Sequence, residues 1–138
     1  MKIILCLENS GGMIFNNRRL SKDIKVTEDI LQTVKSNRLF INDFSKDLFC
    51  MPNGGLYKNI YLTEDFFNLQ KEDYCFLENT DVLKFLNKAD TLIIYNWNRD
   101  YPYDFNFNKD YLTGFKLLST KEFKGNSHEK ITKDVYVK

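Results

Sequence analysis

Histidine is almost missing from this sequence: one residue, His128, stands among 138. One imidazole cannot build the multi-histidine shells that hold catalytic metal pairs, so metal-dependent hydrolysis has no support. Cysteine is sparse and odd in number, with Cys6, Cys50 and Cys75 and no Cys-x-x-Cys. That excludes a disulfide framework and fits a reducing, cytoplasmic setting. Long apolar runs are absent too. Five apolar residues follow Lys2, far short of a signal-peptide core or a membrane span. Neither sign of charge dominates: the formal net charge is +1 and the pI about 7.6. The overall field therefore draws neither nucleic acid nor an acidic surface. Gly11-Gly12 is not a phosphate loop, since no Gly-x-Gly-x-x-Gly or Gly-x-x-x-x-Gly-Lys surrounds it.

What is present is apolar and ring-rich. Hydrophobic residues make up 43% and aromatics 15%, with Phe and Tyr dominating. A chain of this length buries roughly two-thirds of its unfolded surface, enough for one core. No repeat or linker divides it, and residues 1–138 read as a single domain.

Ile3 to Leu7 is an unbroken apolar run, suited to a strand buried on both faces. A polar loop spans 8–20, in which Asn16-Asn17-Arg18-Arg19 reads as a solvated turn or an anion contact. The helix that follows has two possible starts, Ser21 or Thr27, and it ends at Asn37. Strands are expected at 38–41, 59–62, 74–77 and 91–95, and helical turns at 43–49, 63–69 and 80–86. Pro102 keeps the aromatic stretch 99–110 out of a central strand position. Residues 114–120 and 131–137 alternate and read as an antiparallel edge pair. The pattern predicts an α/β fold with a mostly parallel sheet and antiparallel C-terminal edge strands.

Ile3 to Leu7, Met13-Ile14 and Leu20-Ser-Lys-Asp23 together resemble the opening of dihydrofolate reductase. Leu86-Asn-Lys-Ala-Asp90 with Leu92 to Asn98, Asp104-Phe-Asn-Phe107, and Gly114 to Ser119 with Lys133 to Val137 are similar to its later segments. The resemblance implies a dihydrofolate reductase-like fold. It also implies a cleft beside the N-terminal loop, lined by Leu5, Leu7, Leu77 and Tyr95, with Asp23 as the functional carboxylate. Asp23 would hydrogen-bond a ring amide or amine, and Arg18 or Arg19 would meet a negative group. Departures from the family pattern fall on the cofactor side. Glu78-Asn79 stands where the family has Gly-Gly, bringing a negative charge toward a pyrophosphate. Asn42-Asp43-Phe44-Ser45 replaces a Gly-Arg-x-Thr clamp, and residues 50–73 are short for an adenosine region.

The chain also resembles short proteins of low-GC bacteria that carry a ribonuclease Z label, a chemistry its single His opposes. The expectation is a small-molecule binder for a planar or anionic ligand, without NADPH and without hydride transfer. Two alternatives stay open. One is an atypical NAD(P)H-dependent reductase. The other is an RNA- or protein-binding module using the aromatic stretch 95–107 and a rim of Arg18, Arg19, Lys22 and Lys25. His128 is expected in a surface turn.

Overall fold

The computed structural model describes all 138 residues, Met1 to Lys138. Ten strands form: β1 (Lys2–Leu7), β2 (Gly12–Phe15), β3 (Arg18–Arg19), β4 (Leu39–Ile41), β5 (Ile60–Leu62), β6 (Tyr74–Phe76), β7 (Thr91–Asn96), β8 (Phe105–Asn106), β9 (Lys116–Phe123) and β10 (Ile131–Val137). One α-helix, α1 (Ile24–Val34), joins them. Seven strands make the main sheet in the order β5-β4-β6-β1-β7-β10-β9. The apolar run of β1 lies at its centre, parallel to β6 and β7. β10 returns antiparallel to β7, and β9 antiparallel to β10. The sheet is thus mostly parallel with antiparallel C-terminal edge strands, as the pattern predicted.

A central parallel strand is apolar on both faces because both are covered. Ile3, Leu5 and Leu7 of β1 face one layer, with Cys75, Leu77, Leu92 and Ile94. Ile4 faces the other, with Phe76, Ile93 and Tyr95 under Val26, Ile30 and Val34 of α1. Those three helix residues recur every four positions, the spacing that lays one stripe on the sheet. Burying each contributes about 1.5–3 kcal/mol, against about 1 kcal/mol for a typical helix cap, so the three together hold the helix on the sheet.

Three local expectations change. Residues 63–69 form no helix. Thr63 Oγ1 accepts from the Asp65 N–H, and Asp65 Oδ1 from the Phe67 N–H, so the side chains build tight turns that compete with helical bonding. Asp43–Leu48 and Val82–Lys88 are 3₁₀ rather than α, the tighter winding of short connectors. The 8–20 loop is largely a hairpin, with β2 paired to β3 and, on its other side, to β8. Its turn is Asn16-Asn17, both at positive φ (55° and 62°), the geometry that matches strand twist in two-residue hairpins. Asn tolerates that region and a β-branched residue does not. Asn17→Val should therefore lower stability by about 1–2 kcal/mol in urea unfolding. An unchanged midpoint would contradict the assigned turn.

Candidate functional site

Asp23 has a β-region backbone and caps α1, accepting from the Lys25 N–H at 2.9 Å. The rest of its carboxylate is taken by the connection between β9 and β10. Oδ1 accepts from the Asn126 N–H, and Oδ2 from the Ser127 N–H, both at 2.9 Å. Ser127 Oγ adds a bond at 3.2 Å, and His128 Nδ1 lies 2.9 Å from Oδ2. The residue is only 4% exposed. Burial alone would raise its pKa. The bonds from Asn126, His128, Ser127 and Lys25 outweigh that and hold the carboxyl well below its ordinary range. Gly125 is needed at this approach, because a Cβ there would lie 2.5 Å from Asp23 Oδ2 and 2.9 Å from the His128 carbonyl oxygen.

A carboxylate only accepts, so His128 Nδ1 carries the proton that Asp23 receives. Nε2 is then an acceptor at neutral ring charge. Two hydroxyls converge on it, Ser21 Oγ at 3.0 Å and Tyr101 Oη at 3.3 Å. Trp97 stacks on the ring at 4.6 Å between centroids. His128 is 3% exposed, so the surface-turn expectation is wrong. Its local sequence, Ser127-His128-Glu129-Lys130, carries no sign of burial, since Asp23 comes from 105 residues away.

The expected cleft is corrected in two respects. Leu5, Leu7 and Leu77 belong to the opposite core layer, because neighbouring residues of a strand face opposite ways. The α1 side of those strands is presented by Cys6, Phe76 and Glu78, together with Trp97, around a cavity of about 20 Å³. That space is too small for a planar ligand. Tyr95 is on the α1 side but fully buried, and it donates its hydroxyl to Asp29 Oδ2 at 2.6 Å. Burial and that acid push its phenol well above the usual range. Two larger grooves open nearby. One of about 420 Å³ is lined by Lys22, Asp23, Thr27, Asp47, Asn126 and Ser127. The other, about 520 Å³, is lined by Phe15, Asn16, Arg18, Arg19, Leu20, Tyr101 and Pro102.

The two arginines separate. Arg18 is exposed on the larger groove, and its guanidinium takes part in none of the structure's ion pairs. Arg19 is committed. Its Nε and Nη2 donate to both oxygens of Glu78 at 2.8 and 2.9 Å, and Nη1 and Nη2 to Asp47 at 2.8 and 3.0 Å. Partial burial would lower its pKa, and these two acids more than reverse that. Ser45 Oγ donates to Glu78 at 2.6 Å. Within the aromatic stretch Tyr95, Trp97 and Phe107 are interior, whereas Tyr103 is exposed and Tyr101 and Phe105 are half-buried. No helix is long and apolar enough to cross a membrane.

An α/β sheet with this strand order and antiparallel edge defines the fold of a dihydrofolate reductase. Such an enzyme from Enterococcus faecalis, solved in complex with NADP(H) and RAB-propyl, superposes with a TM-score of 0.68 at 8% identity, covering 99% of this chain and 94% of that one. No family model matches the sequence, and no curated protein matches it. The expectation that the chain lacks a nicotinamide cofactor is corrected here. The shared fold is that of a protein holding NADP(H), and Glu78, one of the departures behind that expectation, is paired with Arg19, which Asp47 shares.

Protonation of Asp23 has a readable consequence. Its folded pKa lies below the ordinary 3.8, so its stabilisation is complete above that value and is lost as pH falls toward the folded pKa. Asp23→Asn should flatten the fall in stability below about pH 4 and remove about 2–4 kcal/mol at pH 7. Urea unfolding at stepped pH measures both, and parallel acid limbs in the two proteins would contradict the ionised clasp. Gly125→Ala should cost about 1–3 kcal/mol by the same assay.

Proposed function

We propose that the chain is a small-molecule-binding protein of reductase fold that takes a planar, anionic ligand in the groove between β2–β3 and residues 101–102. The observation that carries this is Arg18, a cation without a partner on a groove of about 520 Å³ flanked by Phe15 and Tyr101. That volume is in the range of small-molecule sites, and a few placed polar groups among rings suit a flat molecule with one charged end. Asp23 contributes indirectly: its oxygens are spent on protein donors, so it acts on a ligand only through His128. A thermal-shift screen of folates, mononucleotides and dinucleotides tests the proposal. At least one anionic compound should raise Tm, and Arg18→Ala should weaken its binding about tenfold, the loss of one charge-assisted contact. Stabilisation that survives Arg18→Ala unchanged would contradict it.

A second reading, an atypical NAD(P)H-dependent reductase, is favoured by a different atom. Asn42 follows β4 and Asn79 follows β6, at the carboxyl ends of neighbouring parallel strands, where sheets of this class take nucleotides. Asn42 Nδ2 donates to Asn79 Oδ1 at 2.8 Å, while Asn42 Oδ1 is buried without a partner. An orphaned acceptor suits a carboxamide or amino N–H, and Arg19 offsets part of the charge of the neighbouring Glu78, which together support a fit to a nicotinamide dinucleotide. When bound, that group supplies a hydride. Fluorescence titration with NADPH should saturate, and Asn42→Ala should weaken binding about tenfold. A signal that rises without saturating would set this reading aside.

A further inference from the structure

We infer that Ser21 is an activated nucleophile, and that Ser21, His128 and Asp23 form an acyl-accepting site for a small ester or thioester. The inference goes beyond ligand binding and rests on that reading only for the substrate's charge. Nucleophilic serine chemistry needs a base within reach of the hydroxyl and a third group that fixes the base's tautomer. Both are present in one line: Asp23 Oδ2 to His128 Nδ1 at 2.9 Å, and His128 Nε2 to Ser21 Oγ at 3.0 Å. Asp23 and His128 are 4% and 3% exposed, whereas Ser21 is only part-buried. A shielded dyad therefore ends at a residue that is itself partly exposed.

The stacked indole of Trp97 fixes the plane of the imidazole, and three backbone and hydroxyl donors fix the carboxylate, so the dyad is pre-organised. Tyr101 supplies the remaining part. Its hydroxyl lies 3.3 Å from the same ring nitrogen and accepts from Arg99 Nη1 at 3.4 Å. With Ser21 donating to Nε2, the Tyr101 proton is available to a developing oxyanion beside Ser21. Tyr101 also lines the groove that carries Arg18, so the hydroxyl that meets the reacting nitrogen borders that groove.

The chemistry closes on water. Ser21 Oγ attacks the acyl carbon as its proton passes to Nε2, and the oxyanion takes the Tyr101 hydrogen bond. Collapse breaks the bond to the alcohol or thiol, which leaves with the proton from Nε2. Water, giving a proton to the same nitrogen, then attacks the acyl-serine; the acyl–Oγ bond breaks, the acid leaves, and Nε2 returns its proton to Ser21 Oγ. Arg18 selects acyl groups that bear a negative charge, such as a free carboxylate at the far end. Ser21, His128 and Tyr101 touch the reacting atoms, while Asp23 and Arg99 are positioning residues.

The test uses the purified full chain, a fluorophosphonate probe with intact-mass and peptide mapping, and p-nitrophenyl acetate against the p-nitrophenyl monoester of succinate. A single adduct on Ser21 is expected, absent in Ser21→Ala and slowed about 10²-fold or more in His128→Gln. Tyr101→Phe should lower kcat by about 10²-fold with KM little changed, a split that loss of folding would not produce. No adduct on wild-type Ser21, or equal labelling of Ser21→Ala, overturns the inference whatever the other variants do. The succinyl ester should be the faster substrate, and Arg18→Ala should remove that advantage. If Ser21 labels but no such preference exists, the nucleophile stands and the Arg18 groove assignment falls.

Discussion

A buried carboxylate that accepts from every side holds this molecule's functional end together. Asp23 starts α1 and at the same time receives the backbone of the β9–β10 connection, so two segments a hundred residues apart share one anion. An unpaired charge at this depth would be prohibitively unfavourable, and only the full set of donors makes the ionised form the stable one. The consequences are geometric. The helix begins where the connection docks, the connection closes only because Gly125 has no side chain, and the imidazole of His128 is left with one tautomer.

A second polar assembly closes the other half of the same end. Glu78, Arg19, Asp47 and Ser45 satisfy one another beside β6 and α1. Between this network and the Asp23 clasp, the space facing α1 is filled by Cys6, Phe76 and Trp97. Burial and the neighbouring Glu78 push the Cys6 thiol up, which keeps it a neutral packing group. The open volume is displaced outward, toward Arg18 and Tyr101 on one side and Lys22 and Asn126 on the other. The fold is that of a reductase, and the concavities of this chain lie beside the place where the resemblance put them.

The sheet was legible because apolar runs such as Ile3–Leu7 and Thr91–Tyr95 are short, β-rich and bounded by polar turns. Asp23 stood out near a helix start after a strand, but it is itself the cap where Ser21 or Thr27 was expected, and its oxygens meet protein donors rather than the expected ring amide. Which side of each strand met the site was not. In a continuous apolar run no polar residue marks the outward face, so Leu5 and Leu7 could not be told from Ile4 and Cys6. His128 was missed for another reason: its burial comes from Trp97, Tyr101 and Asp23, all distant in sequence. The 63–69 segment had a helical pattern, yet Thr63 and Asp65 spend their oxygens on the local backbone, a competition that composition does not resolve.

The protonation of one ring nitrogen tests the account most directly. Long-range proton–nitrogen correlation NMR on the labelled chain at neutral pH distinguishes the two tautomers of its single histidine. The account predicts a proton fixed on His128 Nδ1, bonded to Asp23, with Nε2 bare and accepting. A proton on Nε2, or rapid averaging between the two nitrogens, would contradict it.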